Sequence, residues 1–316
     1  MKINKNLKYA LVLSGGGARG LVHIGVLSAI EAAGYPLPSL IAGCSMGAVI
    51  GGLYAAGLSV AELRNFVLEK LDISDFMESP GFKINGPLGK LVLTGQFIGN
   101  FAVKPGIDPG DKALRLIESF VGDKKIEDCP IPFVCNAVDL VSGREMALDS
   151  GPLVRAIRAS MSFPAFFEPL VEDGLCLVDG GVANNMPVGA ARKTGAALGV
   201  SRILAVDTHG KWRESPASGY RTGIGVVMRC FEVMIHAAEA YHPQADMVLY
   251  AADQTSVFDF DRKKELVSLG EAAVRQSAGE LGAFFGSGVL ARYIRKKHKS
   301  CGIRLEGKYA ETGQEH

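Results

Sequence analysis

The chain has 316 residues, 48% of them hydrophobic and 21% charged, with a formal net charge of +1. That supplies core material for one large domain or two small ones, and too little positive charge for a broad nucleic-acid surface. Its six cysteines, at 44, 129, 135, 176, 230 and 301, form no Cys-x-x-Cys pair and no zinc spacing with histidine, so ordinary reduced thiols in a cytoplasmic protein are expected.

The start, Met1-Lys-Ile-Asn-Lys-Asn-Leu-Lys8, is basic, and the glycines beyond it interrupt any signal-peptide core. Tyr9 to Leu13 is a short apolar run that reads as a buried parallel strand. It ends in Ser14-Gly15-Gly16-Gly17-Ala18-Arg19-Gly20, after which Leu21, Ile24, Leu27 and Ile30 recur at helical spacing up to a closing Gly34. Three readings compete for this loop. A P-loop fails because Leu21 follows Gly20. A dinucleotide fingerprint fits Gly15-x-Gly17-x-x-Gly20 but lacks the acidic residue at the next strand end. An oxyanion hole fits as well, since consecutive glycines let backbone N–H groups turn inward together.

Leu40 to Ala42 is strand-like, and Met46 to Gly57 is a small-residue helical run. Between them lies Gly43-x-Ser45-x-Gly47, the pattern of a nucleophile elbow. A strand that turns into a helix this sharply crowds its own backbone, so both flanks need glycine and the serine is pushed outward. The new helix aims free N–H groups at charge forming there. Close helix packing explains the same residues equally well. A membrane span is a third reading, because Ala32 to Ala61 carries no charge. Pro36 and Pro38 and the absence of flanking Lys or Arg clusters argue against it.

Ser59-Val-Ala-Glu62 is a capping box opening a helix to about Leu71. Asp72 to Pro109 is irregular, with Phe76, Phe82, Phe97 and Phe101 spaced among glycines, and reads as a cover over the site that meets lipid surfaces. Asp108-Pro109 reads as N-cap and first residue of a helix to Val121. Pro132 to Asp139 and the residues after Arg144 form two strands, and Pro152 to Met161 a short helix. Glu168 to Val178 is a hairpin on Asp173-Gly174. It delivers Asp179-Gly180-Gly181, an aspartate at a strand end with little cover. Arg202 to Asp207 and Asp246 to Ala251 are further strands, the first ending in Thr208 and His209. Arg262 to Lys299 is mostly helical and turns basic, as a solvated helix face or a membrane-surface patch. Residues 1–8 are expected as an N-terminal segment, 9–208 as the catalytic core, 209–300 as a helical continuation of the same domain and 301–316 as a disordered tail.

Taken together, Gly15-Gly-Gly-Ala-Arg19-Gly20, Gly43-Cys-Ser45-Met-Gly47, Asp179-Gly-Gly181 and the block Ala159-Ser-Met-Ser162-Phe-Pro164-Ala-Phe-Phe167-Glu-Pro169 resemble the patatin-like phospholipase family, in its order and context. The likeness covers roughly Lys8 to Asp207 and is closest to a small bacterial, single-domain member. It implies a three-layer α/β/α fold with a largely parallel central sheet. It implies a Ser–Asp dyad, with Ser45 as nucleophile and Asp179 as proton acceptor, and an oxyanion hole from Gly15, Gly16 and Gly17. Arg19, Gly20, Gly43, Gly47, Gly180 and Gly181 would support the motifs. The implied substrate is a lipid acyl ester, with no metal or cofactor; the balanced charge leaves no nucleic-acid partner expected, and the 72–109 segment and the basic C-terminal run suit transient membrane contact. Two alternatives stand beside it. One is an α/β-hydrolase triad of Ser45, Asp179 and His209, although such folds place several strands before the elbow and only one precedes it here. The other is a non-catalytic binder of acyl chains, which the intact Ser45 and Asp179 disfavour. His23 is expected to pack.

Overall fold

The computed structural model describes residues 2–70, 105–209, 223–239, 244–252, 256–257 and 259–304. The strands are β1 (Tyr9–Leu13), β2 (Leu40–Gly43), β3 (Gly106–Asp108), β4 (Phe133–Asp139), β5 (Arg144–Leu148), β6 (Ala165–Phe167), β7 (Leu170–Glu172), β8 (Leu175–Asp179), β9 (Arg202–Asp207), β10 (Met247–Ala252) and β11 (Ser300–Arg304). The helices are α1 (Val22–Ala32), α2 (Met46–Ala55), α3 (Val60–Asn65), α4 (Asp111–Val121), α5 (Leu153–Ser160), α6 (Val188–Leu198), α7 (Gly223–Glu239), α8 (Lys263–Gln276), α9 (Ala278–Phe285) and α10 (Val289–Lys297).

Alternation along the strands makes three layers. Leu11, Leu13, Ile41, Phe133, Leu204 and Val206 face one side, into a core shared with α1, α2 and α8. Ala10, Val12, Ala42, Val134, Ile203 and Ala205 face the other, where Val188 and Ala191 of α6 cover them. The main sheet runs β11-β10-β9-β1-β2-β4-β8-β7, with β5 also paired to β4. From β11 through β4 the neighbours are parallel; β5, β7 and β8 pair antiparallel. The fold is therefore α/β/α with a largely parallel sheet, as the sequence implied.

One detail of the register positions the site. Cys135 of β4 pairs with both Gly43 of β2 and Leu148 of β5, while Ala137 pairs with both Asp179 of β8 and Met146 of β5. A strand has two edges and β5 occupies one of them. So β2 and β8 share the other, running toward each other and ending head to head.

Helix α2 is buried on every residue because the sheet, α1 and α5 surround it. This accounts for the long uncharged stretch, and among the described residues no helix is long and apolar enough to cross a membrane. The capping box forms as expected: Ser59 Oγ accepts from the Glu62 N–H at 3.2 Å and Glu62 Oε2 accepts from the Ser59 N–H at 2.8 Å. The Asp173-Gly174 hairpin also forms, with φ of 50° and 79° at its two turn residues.

Two expectations need correction. Asp108 is not a helix N-cap: it ends β3, its carboxylate accepts the Gly110 N–H at 2.8 Å, and the helix starts at Asp111. Residues 301–304, expected in a disordered tail, belong to β11 and pair in parallel with β10. Alternation was hard to see there because Gly302 interrupts it. The expected cover falls mostly on 71–104, outside the described residues, and its end forms β3, which pairs with β6.

Candidate active site

Ser45 sits between β2 and α2 with φ 52° and ψ −121°, a conformation a non-glycine residue adopts only under constraint. The constraint is local crowding. A Cβ on Gly43 would come within 2.5 Å of the Gly47 carbonyl, and one on Gly47 within 2.6 Å of the Ser14 carbonyl. From Leu40 to Ala56 every residue is buried except Ser45. The turn thus lifts one hydroxyl out of an otherwise closed core. The Ser45 N–H donates to Ser160 Oγ at 3.0 Å, so the end of α5 holds the elbow in place.

Asp179 arrives from the opposing strand and is 2% exposed. Its N–H donates to the Ser162 carbonyl at 2.9 Å, and its Oδ1 accepts the Gly181 N–H at 2.8 Å and the Cys44 thiol at 3.7 Å. Burial raises its pKa to about 6, against the lowering effect of the Ser45 hydroxyl, the Gly181 N–H and the Cys44 thiol. The contact with Ser45 is looser than a formed hydrogen bond. Oδ2 has no partner of proper geometry among the described residues, yet the hydroxyl stands close enough to act on the carboxyl. Catalytic contacts are often long before substrate binds. Gly180 and Gly181 follow because larger residues would collide there: a Cβ on Gly180 would strike the Asn136 side chain, and one on Gly181 would lie 3.0 Å from Asn185 Oδ1.

The glycine loop lies directly against Ser45, since a Cβ on Gly15 would be 3.1 Å from Ser45 Cβ. One expected donor is otherwise engaged. The Gly15 N–H donates to the Asn185 carbonyl at 3.2 Å, and Gly15 is buried. Gly16 and Gly17 are partly exposed and have φ of 154° and 56°. Arg19 closes the turn with its N–H on the Gly16 carbonyl at 3.2 Å, and Gly20 lets the loop approach Met46, whose side chain a Cβ would meet at 2.5 Å.

Beneath the loop is a polar layer. Thr208 Oγ1 donates to the Gly15 carbonyl at 2.7 Å, the Thr208 N–H donates to Ser14 Oγ at 3.1 Å, and His23 Nε2 lies 2.8 Å from the Ser14 carbonyl. Full burial lowers His23 to about 4, so it is a neutral donor that fixes the strand end. His209 is not joined to Asp179. Its Nδ1 is 3.2 Å from Asp207 Oδ1 and 3.3 Å from Asn185 Nδ2.

Residues 11–192 match the sequence profile of the family described as patatin-like phospholipase. The chain belongs to the patatin-like phospholipase family. Its relatives include an uncharacterised NTE family protein of Mycobacterium tuberculosis, 33% identical over 208 residues, which are 66% of this chain and 52% of that protein. Another is patatin-like phospholipase domain-containing protein 6 of Homo sapiens, 34% identical over 213 residues, 67% of this chain and 14% of that protein. Lysophospholipase nte1 of Emericella nidulans is 35% identical over 215 residues, 66% of this chain and 12% of that protein. The chain thus spans about half the length of the mycobacterial relative and a small part of the other two. Among solved structures it is similar to VipD from Legionella pneumophila, with TM-score 0.49 and 13% identity over 92% of this chain and 67% of that one.

This patatin-like site also contains residues that motif reading passed over. Asn185 binds the Gly15 N–H through its carbonyl, and its side chain abuts Gly181 and His209. Its signal was faint: two adjacent asparagines after Asp179-Gly-Gly181, both buried in the fold. Arg158, 3% exposed, donates to Ser162 Oγ and to the Pro109 and Glu168 carbonyls, fixing the segment that receives the Asp179 N–H. Periodicity alone places Arg158 on a helix without saying that it points inward.

Proposed function

We propose that this chain hydrolyses lipid acyl esters with Ser45 as nucleophile, Asp179 as its proton acceptor, and the Gly16 and Gly17 N–H groups as the oxyanion hole. The observation that carries the reading is the buried Asp179 carboxyl, raised to about 6 and placed beside the hydroxyl of a strained elbow. An ordinary aspartate is too weak a base near neutrality; burial moves this one toward the useful range.

In this reading the Ser45 hydroxyl proton passes to Asp179 Oδ2 as Oγ attacks the ester carbonyl. Negative charge on the carbonyl oxygen falls on the loop N–H groups and the N-terminus of α2. The leaving alcohol takes the proton from Asp179, and an acyl-serine remains. Water then attacks the acyl carbon while Asp179 accepts its proton; as the acyl–Oγ bond breaks Asp179 returns that proton to Ser45 Oγ, and the carboxylic acid leaves. Relatives named as phospholipase and lysophospholipase support a lipid ester as substrate. The six free thiols suit a reducing, cytoplasmic compartment.

The triad with His209 has less support, because the carboxylate at His209 is Asp207. The test is labelling of the purified chain by a fluorophosphonate, then turnover on acyl esters of varied head group and chain length. Labelling that disappears in Ser45→Ala, with hydrolysis of long-chain esters, is the expected result. An unlabelled, correctly folded wild type would point to the non-catalytic acyl binder instead.

A further inference from the structure

The fold joins two basic stretches that the sequence keeps at opposite ends of the chain. Ile3 bridges Gly286, the Asn4 N–H donates to the Phe285 carbonyl at 2.9 Å, and the Ser287 N–H donates to the Lys2 carbonyl at 3.2 Å. Lys2 therefore lies beside the start of α10 (Val289–Lys297), while the Lys5 ammonium donates to the Gly34 carbonyl at the same end of the sheet. That helix buries Ala291 and draws Arg295 inward onto the Ala283 and Gly286 carbonyls. At about 100° per residue, its outward side centres on Val289 and Tyr293. These are 87% and 62% exposed, with Leu290 at 61% beside them. Arg292, Lys296 and Lys297, all exposed, form the rim.

This arrangement reverses the usual one for a surface helix, where the apolar stripe faces the core. Charge at this end is also one-sided. No Asp or Glu occurs between Leu281 and Arg304. Among the described residues two nearby carboxylates are engaged: Glu31 accepts the Tyr54 hydroxyl at 2.6 Å, and Asp246 accepts the Ile203 N–H at 2.8 Å and lies 3.8 Å from Arg192. Glu280, in the first turn of α9, acts through its charge on Cys301 of β11.

We propose that the outward face of α10, with the N-terminal lysines, docks on an anionic lipid surface. Apolar side chains at the centre of a basic rim match the two layers of a bilayer interface, with acyl boundary below and phosphate above. A second copy of this chain fits poorly, since a two-fold contact would set Arg292, Lys296 and Lys297 against themselves. The face lies at the N-terminal ends of the parallel strands, near Tyr9, whereas Ser45 lies at their C-terminal ends. Docking therefore leaves the nucleophile facing water, and binding is separable from turnover. The inference does not rest on the Ser45–Asp179 reading.

The test is flotation of the full chain with vesicles of phosphatidylcholine alone and of phosphatidylcholine mixed with phosphatidylglycerol. Wild type is expected to bind only the mixed vesicles, and less so as salt is raised. Val289→Asp with Tyr293→Asp should reduce bound protein about tenfold or more, and Lys296→Gln with Lys297→Gln severalfold, by loss of insertion and of surface attraction respectively. Both variants should keep the wild-type melting temperature and turnover on a short, soluble ester. Three results would overturn the proposal. Wild type could ignore anionic vesicles, which would assign the face to a protein partner. The Val289/Tyr293 variant could bind like wild type. Or wild type could sediment as a dimer that Val289→Asp dissociates.

Discussion

Ser45 and Asp179 are held at the same spot by opposite physical means. Ser45 is constrained through its backbone: φ 52° is imposed by Gly43 and Gly47 packing on their neighbours, and its side chain reaches toward solvent. Asp179 has negative φ (−50°, with ψ 133°) and is constrained through its side chain, whose charge is stripped of water. Backbone strain survives almost any change of side chain at position 45. Desolvation strain at position 179 vanishes as soon as the charge does. The two halves should therefore respond alike in activity and differently in stability.

The largest effects test the first part. Ser45→Ala and Asp179→Asn should each lower turnover by about 10⁴-fold or more, since residues acting as a unit are lost together. Near-native turnover in Asp179→Asn would end the dyad reading. Stability should then separate them. Ser45→Ala keeps the strained turn and should change unfolding free energy by less than about 0.5 kcal/mol. Asp179→Asn removes a buried charge whose pKa is raised from 3.8 to about 6, and should stabilise the fold at neutral pH by up to about 3 kcal/mol. The sign follows from proton uptake. Between those two values the native state holds a proton that the unfolded chain releases, so wild-type stability falls as pH rises through about 6. The gap between variant and wild type should close below about pH 4 and reach its full size above about pH 6 to 7. Activity runs the other way: kcat/KM should rise with pH on a limb near 6, as Asp179 becomes the free base. A denaturant series across pH, run beside the rate profile, checks both.

An intermediate effect is expected at the loop that serves both halves. Gly16→Ala places a Cβ against the Thr208 hydroxyl at φ 154°, and should cost about 10²-fold in turnover, the scale of one oxyanion donor. Saturable nucleotide binding removed by that change would revive the dinucleotide reading. His209→Ala should cost less than about tenfold, because its partners are Asp207 and Asn185. A loss of several orders of magnitude with unchanged stability would restore the triad.

The Ser45 half was far more legible in the sequence than the Asp179 half. Its signals are backbone signals, glycines at Gly15 to Gly20 and Gly43 to Gly47, written contiguously between an apolar strand and a helix. Asp179 was legible only as an aspartate before two glycines. What positions it comes from elsewhere in the chain: Ser162 receives its N–H, and Arg158 fixes Ser162. Such contacts have no local pattern. The same holds for the Gly15 N–H, which the motif offered to an oxyanion and the fold gives to Asn185. At the far end of the sheet, the basic residues of both termini were visible as charge, but their union with Val289 and Tyr293 depends on the bridge between Ile3 and Gly286.

The smallest predicted effect lies where the two halves touch. Cys44 belongs to the Ser45 turn, yet its thiol donates to Asp179 Oδ1 at 3.7 Å. Its buried thiol is itself pushed well above the usual cysteine range, first by burial and then by the Asp179 charge, so it remains a protonated donor at every working pH. A sulfhydryl is a weak donor, and its contribution to Asp179 follows those of Ser45 and the Gly181 N–H. Cys44→Ala should therefore raise the acid limb of kcat/KM by about half a unit, through loss of one stabilising contact to the charged form. kcat/KM should drop about twofold near pH 6 and hardly at all above about pH 8, where Asp179 is ionised either way. The buried cavity should cost about 1 kcal/mol of stability below about pH 4, and about 0.7 kcal/mol more above about pH 7, where the lost contact to the charged carboxyl adds to it. A limb that stays in place while stability falls would reduce Cys44 to packing, and the two halves would then meet only through Ser45.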